Sequence, residues 1–233
     1  MTRITNTRET FDRQLRKLKD DILVMGSMVE QATLDAAKAL KTRDTKAAQR
    51  VYEDDQWINQ KHLQIENDCV MLIATQQPMA RDVRFLASML EVSTELERMG
   101  DYAKGIARIH LIIKDDPFTH PVTEIVQMAE TATRMLHQAL GAFVNNDLET
   151  ANAIPLEDDI VDELYNQFHH QLIEKMIEKP EIIDRANYLL WAAHNLERMA
   201  DRVTNICERT IYVNTGILKE IASSDDEMLV GLK

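Results

Sequence analysis

The sequence contains few of the residues that form turns. It has six glycines and five prolines in 233 residues, less than half the combined share of an average globular chain, which is about 12%. Folds built from many short strands, and glycine-rich nucleotide-binding folds, need more turn-forming residues than this. Aromatic residues are only 5% of the chain, which also disfavours strand-rich packing. Because 45% of the residues are hydrophobic and 28% are charged, we expect a folded, all-α protein.

Long apolar runs are also absent. The longest, such as 70–74, are far too short to cross a bilayer, and the first residues contain no apolar segment typical of a secretion signal. The two cysteines, Cys69 and Cys207, are far apart in sequence and do not have the spacing of a metal site. Reduced thiols and a cytoplasmic location are therefore expected.

Positively charged residues are fewer than negatively charged ones. Asp and Glu number 39 against 27 Lys and Arg, which gives a formal net charge of −12. A negative surface repels phosphate backbones and anionic lipids, so we expect no nucleic-acid binding, and membrane association only through partner proteins.

Motifs of the common enzyme classes are missing as well. The chain has no G-x-x-x-x-G-K-[ST], G-x-G-x-x-G or G-x-S-x-G. It also lacks the Glu-x-x-His pairs that carboxylate-bridged di-iron bundles use. No other arrangement of residues in the sequence suggests a nucleophile with its base, so we expect a protein that is not an enzyme.

Apolar residues in the first half recur at the alternating three- and four-residue steps of long helices that pack side by side. Asp44 is expected to cap the second helix. That helix should end at Gln77-Pro78, because a residue before proline disfavours the α conformation. A third helix should reach about Ile113. Three helices with short links predict an antiparallel bundle.

The same pattern begins again after a polar, proline-containing segment at 115–121. Asp147 is expected to cap a fifth helix that ends at Lys179-Pro180, and a sixth should end before Gly216. The predicted fold is all-α, with two tandem pseudo-symmetric three-helix bundles and six long helices. The predicted boundaries are 8–114 for the first bundle, 120–215 for the second, and 216–233 for a mobile C-terminal tail.

An internal repeat relates the two halves. The tetrapeptide Leu-Glu-Arg-Met occurs at 96–99 and again at 196–199, and an aspartate follows two residues after each copy. Equivalent residues differ by 100 at this motif and by 103 in the preceding helix, where Asp44 corresponds to Asp147. Insertions belong in links, so this change of offset is compatible with a duplicated unit.

Each copy of the motif carries a glutamate and, four residues later, an aspartate. Two carboxylates at this spacing lie on one helix face, about 6 Å apart along its axis, and they repel each other. The preceding helix of each half places another pair of oxygen-bearing side chains at a similar height in the bundle. The candidate metal ligands are Asp55, Asn59, Glu97 and Asp101 in the first half and Asp158, Asp162, Glu197 and Asp201 in the second.

These acids have two interpretations. Oxygen ligands suit hard cations such as Mg²⁺, Mn²⁺, Ca²⁺ or iron, and carboxylates held together without a cation raise one another's pKa and cost stability. Alternatively, the acids form salt bridges on a solvated face. The basic residues available for such bridges are Arg98, Arg108, Arg198 and Lys104. Repetition of the acids at matched places favours metal binding.

Six segments carry a resemblance to a known family: MGSMVEQ (25–31), EDDQWIN (53–59), QQPMARDVR (76–84), LERMGDYAKGIAR (96–108), NLERMADRVTNICER (195–209) and IYVNTG (211–216). With them the chain resembles the PhoU family of phosphate-signalling regulators over nearly all of its length. The resemblance implies two pseudo-symmetric three-helix bundles. It also implies metal ions, iron or zinc, on the acidic motifs, with the candidate ligands named above in that role; by donor type, Mg or Mn would also suit.

The resemblance implies a regulatory role as well. Family members act as negative regulators of the phosphate regulon, coupling the phosphate-specific ABC transporter to its sensor histidine kinase and restraining phosphate uptake. They occur as monomers, dimers or larger assemblies, so a homodimer is among the expected states. Partner contacts are expected at 76–84 and at the Leu-Glu-Arg-Met segments. The candidate contact residues are Arg81, Arg84, Arg98 and Arg198.

Two alternative functions remain at this stage. The chain could be a metal-storing or carboxylate-bridged di-metal protein, although the missing Glu-x-x-His pairs disfavour it. It could also be a plain helical scaffold whose acids are merely solvated.

Overall fold

The computed structural model describes residues 2–114 and 122–221. These residues form α-helices, short 3₁₀ turns and links, and they contain no strand. The helices are α1 (Thr2–Thr42), α2 (Thr45–Gln76), α3 (Arg81–Ile113), α4 (Thr123–Asn145), α5 (Leu148–Ala153), α6 (Asp158–Glu178) and α7 (Ile183–Thr215). The 3₁₀ turns Ile154–Glu157 and Pro180–Ile182 precede α6 and α7. The predicted all-α fold is confirmed.

Helix ends follow local sequence signals. The Asp44 carboxylate accepts a hydrogen bond from the backbone N–H of Ala47 at 2.9 Å, and Asp147 accepts from that of Thr150 at 3.1 Å. These bonds satisfy N–H groups of the first turn that have no partner within the helix. Gly216 ends α7 in the left-handed conformation with φ 75°, which glycine adopts without steric cost. The predicted caps Asp44 and Asp147 and the predicted end of the last helix before Gly216 are confirmed.

The fifth predicted helix is interrupted. The seam of apolar residues runs past Pro155, but the chain there forms α5, a 3₁₀ turn and then α6. Proline has no N–H to donate, and its ring clashes with the carbonyl four residues earlier in a helix. The second bundle therefore has an interrupted outer arm, α5 and α6, where the first has the continuous helix α2.

The two bundles pack side by side around one continuous core. Helices α1, α2 and α3 form the first, and α4, α7 and the α5–α6 arm form the second, while α3 packs against α7 and α1 against α4. Phe85 of α3 stacks on Phe143 of α4, with ring centroids 5.0 Å apart. Gly26 of α1 lies so close to Leu140 of α4 that a Cβ there would overlap the leucine. The absent side chain allows close approach of the two halves.

The predicted junction between the bundles and most of the predicted tail lie outside the described residues. The link at 115–121, with the junction predicted there, lies outside them, as do residues 222–233 of the predicted mobile tail. The described start of the tail returns to α7, where the backbone N–H of Ile221 donates to Glu208 Oε1 at 2.6 Å.

No helix among the described residues is both long and apolar enough to span a membrane.

Candidate metal centre

The four acidic residues predicted in the second half come together between α6 and α7. Asp158 begins α6, and it is half-buried. Burial raises its pKa to about 7, and the charges of Asp162, Asp201 and Glu197 act in the same direction. A carboxyl group so affected lies close enough to the other three to feel their charges. The structure therefore places the other three predicted side chains within electrostatic range of Asp158.

The first-half candidates also converge, between α2 and α3. Asp55 is only 3% exposed, and Asn59 Nδ2 donates to its Oδ2 at 3.1 Å. Burial raises the pKa of Glu97, and the charges of Asp101 and Asp55 add to this effect. The pKa of Asp101 is also raised, by burial and by Asp55. All four candidates therefore share one small region.

A lysine distinguishes the first cluster from the second. Lys104 Nζ donates to Asp55 Oδ2 at 2.7 Å, so an ammonium group lies where a metal ion would neutralise the carboxylates. The repeat places Thr204 at the equivalent position, and its hydroxyl donates to the backbone carbonyl of Asp201 at 2.6 Å. The salt-bridge interpretation thus describes part of the first cluster, whereas position 204 supplies no positive charge to the second.

The donor types fit a hard cation, but the side chains are not in a binding arrangement. Among the described residues, no three His, Cys, Asp or Glu side chains are placed to hold a metal ion. In the first cluster, the buried oxygens Asp55 Oδ1 and Asn59 Oδ1 accept no hydrogen bond. Binding would therefore require side chains to turn toward one another. The second cluster suits a cation better, because it brings four carboxylates and no lysine at the equivalent position.

The candidate partner-binding arginines occupy two different regions. Arg81 Nη2 donates to Asn214 Oδ1 at 3.3 Å, and the Arg84 guanidinium lies beside Gly216, so both lie where the ends of α3 and α7 meet. Arg98 pairs with Glu95, at 3.4 Å, and not with Glu97. Arg198 lies near His194, whose pKa it lowers together with the larger effect of burial. The structure does not bring the four arginines together.

A charged network between the halves was not predicted. Arg202 of α7 donates to Glu95 Oε2 and to the hydroxyl of Tyr102, both at 2.8 Å. Tyr102 and Arg202 are themselves equivalent positions of the repeat, so the pseudo-symmetry axis passes close to their contact. The offset of 100 relates these two residues, but sequence spacing alone does not indicate that equivalent positions touch.

A histidine beside the second cluster was also missed. His194 Nδ1 lies 3.0 Å from Glu197 Oε2. The histidines are not repeated between the halves, which argued against a ligand role, but the spacing of three residues on α7 was a signal for this contact.

We expect the Lys104→Met substitution to lower the free energy of unfolding by about 3–5 kcal/mol at pH 7, because it leaves the buried Asp55 carboxylate without its cation. Chemical denaturation monitored by circular dichroism measures this change. The double variant Asp55→Asn/Lys104→Met should recover most of the loss. Lys17→Met is the matched control: its pair with Asp68 is 63% and 33% exposed, so the expected change is below about 1 kcal/mol. An equal effect of Lys17→Met and Lys104→Met would contradict this role for Lys104.

The chain is similar in sequence to a known family over most of its length. The model of the PhoU domain matches twice, at residues 22–109 and 125–210. A phosphate-specific transport system accessory protein PhoU homolog of Clostridium acetobutylicum is 35% identical over 211 residues, 90% of this chain and 96% of the relative. The accessory protein PhoU of Serratia marcescens is 35% identical over 88% of this chain and 85% of its own length.

Solved structures show the same similarity. The crystal structure of PhoU from Pseudomonas aeruginosa superposes with a TM-score of 0.83 at 33% identity, covering 89% of this chain and all of that one. The phosphate transport system regulatory protein PhoU from Streptococcus pneumoniae gives a TM-score of 0.84 at 32% identity, with 91% of this chain and all of that one covered. The two matched domains fall in the two helical bundles.

Proposed function

Because the chain belongs to the PhoU family, we propose that it is a negative regulator of phosphate signalling and uptake. In this proposal it is a non-enzymatic adaptor in the cytoplasm that couples the phosphate-specific ABC transporter to a sensor histidine kinase. The observation that carries the proposal is that relatives named accessory proteins of the phosphate-specific transport system match this chain over nearly their whole length.

Rigid bundles of long helices are suited to this adaptor role. Such helices present extended faces to partner proteins without any catalytic group. The sequence also lacks the nucleophile and phosphate-binding motifs of the common enzyme classes. Regulation would then depend on which partner is bound, and not on a reaction.

The second acidic cluster is proposed to hold a divalent cation. Asp158 and Asp162 of α6 would bind it together with Glu197 and Asp201 of α7. When bound, the cation would neutralise these carboxylates and link the two helices. The raised pKa of Asp158 supports this proposal, because it reflects negative charges close together. In the first half, Lys104 takes part of the cation's role.

Deletion of the gene tests the regulatory proposal. In a deletion strain grown with abundant phosphate, we expect constitutive expression from a phosphatase promoter of the phosphate regulon and excess uptake of radiolabelled phosphate. Re-expression of the intact chain should restore repression. Phosphate-dependent control that is unchanged by deletion would contradict the proposal.

A further inference from the structure

An open groove runs between α1 and α2 on the outer face of the first bundle. It has a volume of about 810 Å³ and is lined mainly by apolar side chains. Trp57 and Val24, which line it, are 51% and 50% exposed. Exposed apolar surface of this kind is a common mark of an interaction site.

The repeat provides an internal comparison for this groove. On α1, Met28 and Ala32 are only partly buried, whereas their equivalents on α4, Met128 and Ala132, are completely buried. Helix α4 packs against α5 and the 3₁₀ turn that follows it. In the second half, the apolar stripe formed by Met128 and Ala132 is therefore covered. The open groove over the equivalent stripe of the first half is not a necessary result of the fold.

In the second half, a salt bridge joins α4 to the 3₁₀ turn that packs against it. Arg134 of α4 pairs with Glu157 of the 3₁₀ turn at 2.9 Å. By the offsets of the repeat, the equivalent residues in the first half are Leu34 and Asp54. The carboxylate is retained there while the arginine is not.

Three carboxylates line the groove, those of Asp35, Asp54 and Asp55, and that of Asp55 pairs with Lys104 at 2.7 Å. Within the part of the chain that the structure describes, Asp35 and Asp54 form no ion pair. Arg50 also lines the groove, and its charge acts on Asp44, the cap of α2. An occupant that covers the apolar stripe would thus also meet unpaired negative charge.

We propose that the α1–α2 groove is the docking site for an amphipathic helix of a partner protein, with an apolar face against Met28, Ala32 and Trp57 and a Lys or Arg that pairs with Asp35 and Asp54. Helix-in-groove recognition uses apolar anchors at helical spacing in this way. A net charge of −12 favours a basic partner over a second copy of the chain. The inference rests on the proposed function only in that the partner is a protein.

Tryptophan fluorescence tests the docking site. The chain has two tryptophans, so Trp191→Phe leaves Trp57 as the sole reporter. The probe is a synthetic 18-residue helical peptide with leucines at positions i, i+3, i+4 and i+7 and flanking arginines; its partner peptide has glutamate in place of arginine. We expect the arginine peptide to shift the Trp57 emission to the blue and to bind at least tenfold more tightly than the glutamate peptide.

Variants in the groove provide the controls. Ala32→Arg should abolish binding of the arginine peptide, and Asp35→Lys/Asp54→Lys should reverse the preference between the two peptides. Gln60→Arg adds the same charge at an exposed position that does not line the groove, and it should leave binding unchanged. Equal affinity for both peptides, or binding that survives Ala32→Arg, would overturn the docking site.

The deletion strain separates this inference from the proposed function. Re-expression of the Gln60→Arg chain should restore phosphate-dependent repression, whereas the Ala32→Arg chain should fail to do so at equal protein level and equal melting temperature. Full repression by Ala32→Arg would overturn the docking site and leave the regulatory proposal standing. If deletion leaves phosphate-dependent regulation unchanged, the regulatory proposal is overturned instead. The peptide titration would still test whether the groove binds a basic helix.

Discussion

Asp201→Asn is expected to weaken Mn²⁺ binding by at least tenfold, which corresponds to about 1.4 kcal/mol or more of binding free energy. Mn²⁺ prefers oxygen ligands, and the second cluster gathers four carboxylates, with threonine where the first half has its lysine. Removing one carboxylate takes away both a ligand and a negative charge. Isothermal titration calorimetry of the chelator-treated protein at pH 7.5 measures this change.

Asp101→Asn is the matched control for that substitution, because Asp101 is the equivalent position in the first half. The Asp101 cluster already contains the Lys104 ammonium, so we expect this variant to change Mn²⁺ affinity less than threefold at the tighter site. A larger loss of affinity in Asp101→Asn than in Asp201→Asn would show that the assignment of the stronger site to the second half is wrong.

Asp158→Asn is expected to stabilise the cation-free protein at high pH. The pKa of Asp158 is about 7 in the folded chain against its usual value of 3.8, so between these values the folded state holds a proton that the unfolded state has lost. Asp158 therefore makes the free energy of unfolding fall as the pH rises from about 4 to about 7. Above pH 7 the variant should be more stable than the native protein by about 1–3 kcal/mol, allowing for screening by water at this half-buried side chain.

The measurement is urea denaturation across pH 4–8 in the presence of a chelator. The stabilisation by Asp158→Asn should be largest at pH 8 and should shrink toward pH 4. Glu174→Gln, at an exposed position of the same helix, should change stability by less than about 0.5 kcal/mol at every pH. If the stabilisation is independent of pH, repulsion between the Asp158 carboxylate and its neighbours is not the cause of the stabilisation.

Local signals made the helix ends predictable. Asp44 and Asp147 lie at the starts of apolar helical patterns, and a carboxylate at such a start satisfies free N–H groups whatever surrounds it. The interruption at Pro155 was not predicted, because the apolar pattern continues through it and hides the break. Proline disrupts helix hydrogen bonding without necessarily moving apolar residues off the buried face.

The acidic clusters were predictable as sets but not in their charge balance. Residues four apart on one helix share a face in any fold, and the duplication showed that Glu97 and Glu197 occupy equivalent places. Whether Lys104 bonds to Asp55 or extends into solvent depends on the rotation of α2 against α3, which spacing does not specify. Whether the groove between α1 and α2 is open depends similarly on how the outer helix of each bundle packs against the other helices.

Anomalous diffraction from a Mn²⁺-soaked crystal of the full chain tests the central claim most directly, because it locates the cation. We predict the strongest anomalous peak between α6 and α7, within coordination distance of Asp158 and Asp201, and a weaker peak or none beside Asp55. A strongest peak at the Asp55 cluster, or no peak at either acidic cluster, would contradict the account.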